Sequence, residues 1–348
     1  GWRQAMTDWI LDRTDAPILA AEQPWEIGAT LSAMALHTDP QTGGLRLYYL
    51  VSHREDPLRN VLCVATSDSG SDWAKPDLGE GSNIVMGSLG LETGWGIFMP
   101  TRIIHEPEED NPAWRWKMVL WERPHLDTPA GICLAVSADG LKWHHLHERP
   151  IITSANDAMS MVAAQPGVQT PRESRYLLYQ QTWKYNPHLP GDRDNLVGIH
   201  RQISLWYNGG DFDGRWTGPI TVLEPDEEDP PDLQHYWLSP YPTASGYGGL
   251  LFCHHTLDQT MDVQRVSSPD GWLWEHCDDR VPLLALGERG RFDSGMITAA
   301  SMPCRFGERV LLPYNGRATV HDQQQRYPGD PAITPGIGLV ELDKELLA

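Results

Sequence analysis

The sequence predicts an all-β chain folded as a five-bladed β-propeller, and three observations predict it. A turn motif recurs, apolar runs of strand length recur around it five times, and no helical periodicity of useful length competes. The motif, Ser-x-Asp/Ser-Gly-x-x-Trp, stands at Ser67-Asp68-Ser69-Gly70-Ser71-Asp72-Trp73, at Ser137-Ala138-Asp139-Gly140-Leu141-Lys142-Trp143 and at Ser268-Pro269-Asp270-Gly271-Trp272-Leu273-Trp274. Its Gly supplies the positive φ of a tight turn and its Trp starts the return strand, so each copy marks a blade hairpin. A degenerate fourth copy runs through Ser204, Leu205 and Trp206 to Phe212 and Trp216, with an insertion around Asn208-Gly209-Gly210.

The remaining strands follow in order. Apolar runs at 45–50, 116–121, 176–179, 250–252 and 310–314 precede the hairpins as second strands, and runs at 29–36, 96–104, 159–164, 237–243 and 296–302 precede those as inner strands. One domain over 1–348 is expected, with blades near 24–85, 86–152, 153–225, 226–286 and 287–348. Segment 1–23 has no blade of its own. It is expected to approach or close the last blade, because an open blade exposes a strand edge.

Composition agrees with this architecture. Fifteen Trp and 11 Tyr supply a large core, and 32 Gly with 28 Pro supply the turns. A formal charge of −20 argues against nucleic acid and anionic membrane surfaces as partners, since both would be repelled. The five cysteines form no CxxC pair, so a disulfide framework is not expected; Cys63 and Cys133 fall at the same point of two repeats inside apolar runs and read as core residues. No apolar stretch approaches the length of a membrane span, and Gly1-Trp2-Arg3-Gln4 does not begin like a signal peptide. Localisation and oligomeric state stay open, since a leader could have been removed.

In a propeller the inner strands line the axis, so residues at their equivalent ends converge on one mouth. The segments that open the inner strands contain Glu26, Glu92, Asp157, His235-Tyr236 and Asp293. Four of the five carry a carboxylate. Converging carboxylates shift one another's pKa, and glycoside cleavage needs one protonated carboxyl and one carboxylate. The ends of the second strands add His53-Arg54, Glu122-Arg123, Gln181 with Trp183, His254-His255, and Asn315 with Arg317. Glu122 is a candidate general acid. Trp95, Arg102, His105, Gln181, Trp183, Trp237, His255, Asn315 and Arg317 are candidates for substrate binding, because sugars are held by planar polar groups and aromatic faces. His254 and His255 are adjacent on a strand and point to opposite faces, so one can face the pocket. The chain has no GxSxG, HExxH or P-loop, and its 14 His show no spaced ligand pattern, so neither metal nor cofactor is expected.

With the Tyr48-Tyr49 pair, the recurring turn and Gly287-Glu288-Arg289-Gly290-Arg291-Phe292-Asp293-Ser294-Gly295-Met296, the chain resembles the five-bladed propeller glycoside hydrolases, the broad group containing families 43 and 32. The resemblance spans nearly the whole chain. It implies a carbohydrate substrate and two or three pocket carboxylates acting as nucleophile or base, transition-state stabiliser and acid. The matching positions are Glu26, Asp157 and Asp293, with Glu92 or Glu122 from the second blade. The Asp-Pro inner-strand signature of family 43 and the WMNDPNG-like start of family 32 are absent.

The expected activity is hydrolysis of a short oligosaccharide or a terminal sugar at a closed mouth. Two alternatives stay open. A glycoside phosphorylase would hold phosphate with Arg102, His105, Arg201 and Arg317; a non-catalytic sugar-binding propeller would use Trp95, Trp183 and Trp237 as platforms. The insertion at 184–195 reads as a long loop walling one side of the pocket.

Overall fold

A computed structural model of the chain describes residues 9–93, 97–153 and 156–348. The described strands begin with β1 (Ile10–Arg13) and continue as five antiparallel meanders, numbered I to V. Meander I contains β2 (Thr30–Thr38), β3 (Leu45–Ser52), β4 (Val61–Ser67) and β5 (Ile84–Gly87). Meander II contains β6 (Phe98–His105), β7 (Trp116–Glu122), β8 (Gly131–Ser137) and β9 (His144–His145). Meander III contains β10 (Met159–Ala163), β11 (Tyr176–Tyr185), β12 (Ile199–Asn208) and β13 (Thr217–Leu223). Meander IV contains β14 (Leu233–Thr243), β15 (Gly246–His255), β16 (Met261–Ser268) and β17 (Glu275–His276). Meander V contains β18 (Met296–Thr298), β19 (Cys304–Phe306), β20 (Arg309–Arg317) and β21 (Gly336–Leu342). Meanders IV and V share one sheet through a single parallel bridge between Met261 and Met296.

The fifth inner strand is interrupted. β18 and β19 both pair with β20, separated by 299–303, where the expected run was continuous. β1 pairs antiparallel with β21 and gives meander V its outer strand. Helical structure among the described residues is confined to short 3-10 turns, and no helix is long and apolar enough to cross a membrane.

The meanders form an all-β propeller ring, and apolar packing holds it. One cluster joins meanders I and II through Tyr48, Leu50, Ile103 and Met118; one joins II and III through Val119, Ile132, Met161 and Leu178; one joins III and IV through Leu177, Leu205, Leu251 and Val266. The ring continues from IV to V through Phe252, Val263, Ile297 and Leu312, and returns to I through Leu31, Leu47, Leu311 and Leu339. Each such buried side chain contributes about 1.5–3 kcal/mol. Cys63, Cys133, Cys253 and Cys304 are buried, all four inside these clusters, and all five thiols are free.

The recurring turn has one geometry in three meanders. The Ser hydroxyl accepts the backbone N–H of the Gly at 2.8 Å in Ser67, 2.9 Å in Ser137 and 2.8 Å in Ser268. The Trp indole N–H then donates to the same Gly carbonyl from Trp73, Trp143 and Trp274. Gly70, Gly140 and Gly271 have φ of 85°, 76° and 80°, a region Gly occupies without steric cost. Each turn docks on the second strand of the preceding meander: Tyr48 Oη donates to Gly140 O and Tyr179 Oη to Gly271 O, while Gly70 lies against Leu311. In the degenerate copy Asn208 replaces Ser, accepting from Gly210 N and donating to Asp211 O.

Candidate functional site

A cavity of about 280 Å³ occupies the end of the channel where the inner strands begin and the second strands end. All five meanders reach it, with Ser32, Met99, Asp157, Tyr236 and Thr298 from the inner side and Asn315 and Arg317 from the end of β20. A β-bulge between His235 and Trp237 gives β14 an extra residue, and both Tyr236 and Trp237 then face the cavity.

Asp157 is the one carboxylate lining this cavity among the described residues. It stands just before β10, where the chain turns into the channel wall, and no cationic side chain among the described residues pairs with it. Burial pushes its pKa up to about 7. Tyr236 next to it is pushed up to about 12, by burial and then by the Asp157 charge, and keeps its proton at neutral pH. Arg317 has its pKa lowered by burial and by the neighbouring Arg54. The cavity thus combines a carboxyl poised to exchange a proton, a phenol and a cationic edge.

A polar network stands behind Tyr236. Its Oη lies 3.1 Å from His321 Nε2, and His321 Nδ1 lies 3.8 Å from Asp194 Oδ1. The same Asp194 oxygen is 2.9 Å from His254 Nε2, and Arg201 is 2.8 Å from the other oxygen. Burial, followed by His254 and Arg201, lowers the His321 pKa to about 3, so the ring is neutral and its Nε2 can accept a hydrogen bond from the Tyr236 hydroxyl. Asp194, His254 and His321 also have the composition of a metal site. Arg201 already neutralises Asp194, and Tyr236 and Gln259 take part of the remaining hydrogen bonding, so the arrangement is a hydrogen-bonded support for the phenol.

The other sequence candidates lie apart from this cavity. Glu26 is fully buried and accepts from Tyr49 Oη and Lys75 Nζ, both at 2.6 Å, and from the backbone N–H groups of Glu22 and Gln23. Burial alone would raise its pKa; Lys75, Tyr49 and the two amides outweigh it and hold the carboxyl below its ordinary value. Asp293 is also fully buried, with Arg13 at 2.6 Å, Tyr314 Oη at 2.8 Å and Arg291 at 3.2 Å, and its pKa is lowered because Tyr314 and the two arginines overcome desolvation. Glu122 is buried against His145 Nε2. Glu92 is exposed ahead of β6. The expected convergence of four carboxylates is therefore absent from the cavity: the structure brings Asp157 there and gives Glu26, Glu122 and Asp293 partners inside or between the sheets.

Among the expected binding residues, Arg317, Asn315 and Trp237 line the cavity. Asn315 also bridges meanders V and I, accepting from Ala33 N and donating to Ala33 O, and Trp237 stacks on Phe252 at 5.6 Å. Gln181 is buried beside the cavity, where it donates to Tyr236 O and accepts from Asn156 and Trp183. Trp183 is 39% exposed and does not line the cavity. Arg102 is buried deeper in the channel, donating to Ser160, Ser239 and Pro240. His105 stacks on Trp116 at the far end of β6. His255 faces away, toward Asp262 at 2.8 Å; its neighbour His254 is the inward member of the pair. Trp95 lies outside the described residues. Arg102, His105, Arg201 and Arg317 accordingly form no single anion cluster. The loop at 184–195 does not line the cavity, yet its Asp194 anchors the network behind Tyr236.

Sequence reasoning missed Asp194 and His321 and named Tyr236 only as a strand start. Asp194 and His321 sit in loops with no motif around them, so no local signal marks them.

Comparisons with solved structures agree with the fold. A structure described as "Glycoside hydrolase" matches at TM-score 0.59 and 11% identity, covering 94% of this chain and 92% of that one. An N-acetylgalactosamine deacetylase from F. plautii, in complex with blood group B trisaccharide, matches at TM-score 0.58 and 14% identity over 98% and 97% of the two chains. A third is described under the GH130 family of mannoside phosphorylases, which contains glycoside hydrolases that target β-1,2 mannosidic linkages in Candida mannan; it matches at TM-score 0.61 and 11% identity over 99% and 96%. At such identities the likeness carries the fold and leaves the chemistry to the site. No protein-family model matches the chain, and no curated protein sequence matches it.

Proposed function

We propose that the chain is a glycoside-cleaving enzyme, one propeller domain over 1–348 with the five meanders as blades, and that Asp157 is its general acid. The observation that carries this reading is a carboxyl without a cationic partner in the channel-mouth cavity, with its pKa raised to about 7. A general acid works best with a pKa near the operating pH, and burial is the usual means of bringing a carboxyl there. The solved structures of similar fold, two of them described in terms of glycoside hydrolases, support a carbohydrate substrate. The small cavity suits a terminal sugar or short oligosaccharide better than a long chain.

In the hydrolytic reading a second carboxylate activates water; Asp157 is the one carboxylate lining the cavity among the described residues, and Glu92, exposed ahead of β6 and outside the cavity, would have to approach it to serve as that base. The second reading is phosphorolysis. It is favoured by a specific observation: Arg317 lines the cavity close to Arg54 and has no carboxylate partner among the described residues, so the site can hold an anionic nucleophile. Screening a panel of glycosides with and without phosphate separates the readings. Release of free sugar without phosphate supports hydrolysis, and phosphate-dependent release of a sugar phosphate supports phosphorolysis. Sugar binding without cleavage would support a non-catalytic binding propeller.

A further inference from the structure

Meander IV and the connection leading into it carry a second group of side chains that the channel chemistry does not use. Asp229 lies in the connection from β13 to β14, His235 in β14 and His276 in β17, and one ligand atom from each lies within 4.8 Å of the others. His235 is fully buried, and neither of its ring nitrogens has a hydrogen-bond partner among the described residues; the same holds for both nitrogens of His276. His235 Nε2 stands 3.7 Å from Asp229 Oδ2, and the two imidazole rings are 5.4 Å apart.

A neutral imidazole offers one donor and one acceptor, and each left unmet in a buried place costs about 1–3 kcal/mol. The surrounding charge suits a dication. Arg280 pairs with Asp229 at 2.7 Å, Asp226 at 2.7 Å and Glu228 at 3.3 Å, so three carboxylates face one guanidinium and two negative charges remain. Arg280 and the Asp226 backbone N–H also fix the Asp229 carboxylate, as outer partners of metal ligands commonly do.

We propose that Asp229, His235 and His276 bind a divalent transition cation of the zinc class. Two imidazoles with one carboxylate suit zinc and its neighbours, whereas magnesium and calcium select oxygen donors. An entry path exists: Asp229 and His276 line an open cavity of about 930 Å³ that also carries Glu224, Glu275, Asp278 and Asp279. A bound ion would join the start of the inner strand β14 to the outer strand β17 and to the connection from meander III. The group shares no residue with the channel-mouth cavity, so the site stands whether or not the glycoside reading holds.

The test is a calorimetric titration of Zn²⁺ into the full chain after exhaustive chelation, with metal content counted after desalting and thermal unfolding recorded alongside. The expected result is one Zn²⁺ per chain and a higher melting temperature. Asp229→Asn and His276→Ala should each weaken binding by at least about tenfold, since loss of an outer-shell partner alone costs about 10–100-fold, and His321→Ala should leave it unchanged. Circular dichroism checks folding. If His276→Ala does not fold, His276→Gln and the near-isosteric Asp229→Asn carry the comparison. The proposal is overturned if the wild-type chain binds no Zn²⁺, if the Asp229 and His276 variants bind it as tightly as the wild type, if His321→Ala abolishes binding, or if Mg²⁺ at equal concentration displaces it.

Discussion

Asp157 and Asp293 show how two carboxyls at equivalent places in their repeats acquire opposite character. Asp293 meets Arg13, a residue 280 positions away in the chain, whereas Asp157 meets the buried cavity wall and Tyr236. Sequence displayed both as carboxylates before inner strands. Of their partners it displayed only Arg291, two residues from Asp293; Arg13 and Tyr314 approach from remote segments. The same limit applies to Glu26, whose Lys75 comes from beyond the first hairpin. We expect Asp293→Asn to lower stability by about 2 kcal/mol, since it leaves the partly buried Arg13 and Arg291 without their carboxylate. Chemical denaturation measures this, and a loss below 1 kcal/mol would place the stabilisation elsewhere. For Glu26 and Asp293 the lowered pKa means that their stabilisation is fully present above the ordinary carboxylate value and is lost as pH falls from there through the lowered native value.

Asp157 has the reverse sign. Between the ordinary value of 3.8 and about 7 the native state keeps a proton that the unfolded chain has released, so stability falls as pH rises through that window. Asp157→Asn removes the penalty. Its stability relative to wild type should improve by roughly 1–3 kcal/mol from pH 4 to pH 8, discounted because the side chain keeps some solvent contact. Parallel denaturation curves at the two pH values check it, and an unchanged difference would mean that Asp157 ionises normally.

At the scale of elements, the turn motif was the most legible feature because its physics is local. Ser, Gly and Trp complete their hydrogen bonds within seven residues, so one sequence pattern suffices for one geometry. Inner strands were legible in position, although β14 begins four residues earlier than expected and the fifth is split into β18 and β19. The bulge that turns Tyr236 to the cavity was not legible; alternation showed that His254 and His255 oppose one another but could not say which was inward. We expect Gly140→Ala to cost at least about 1–2 kcal/mol, because φ is +76° and a Cβ there would collide with Tyr48 Oη and stand 2.8 Å from Arg46 Nη1. Thermal unfolding reads this directly. A neutral result would show that the turn can leave the neighbouring meander without cost.

For the whole molecule, ring closure depends on a strand from one terminus pairing with the other end of the chain. β1 covers the edge of β21, and Arg13 connects it to Asp293, Tyr314 and Ala285 O. That closure was legible because an uncovered sheet edge is a liability in any propeller. Removing residues 1–13 should lower the melting temperature and increase self-association, measured by light scattering; a monodisperse chain with unchanged melting would deny β1 that role.

The ring also places the channel mouth where residues from all five meanders meet, and the central claim concerns Asp157 there. A general acid matters most when the leaving alcohol is poor and least when it departs readily. The decisive measurement is the ratio of wild-type to Asp157→Asn turnover on two glycosides of the same accepted sugar, one with a sugar leaving group and one with an activated aryl group. The account predicts a ratio of about 10²–10⁴ for the first, a much smaller ratio for the second, and loss of wild-type activity on the first as pH rises through about 7. Equal losses on both substrates, or no loss on either, would contradict it.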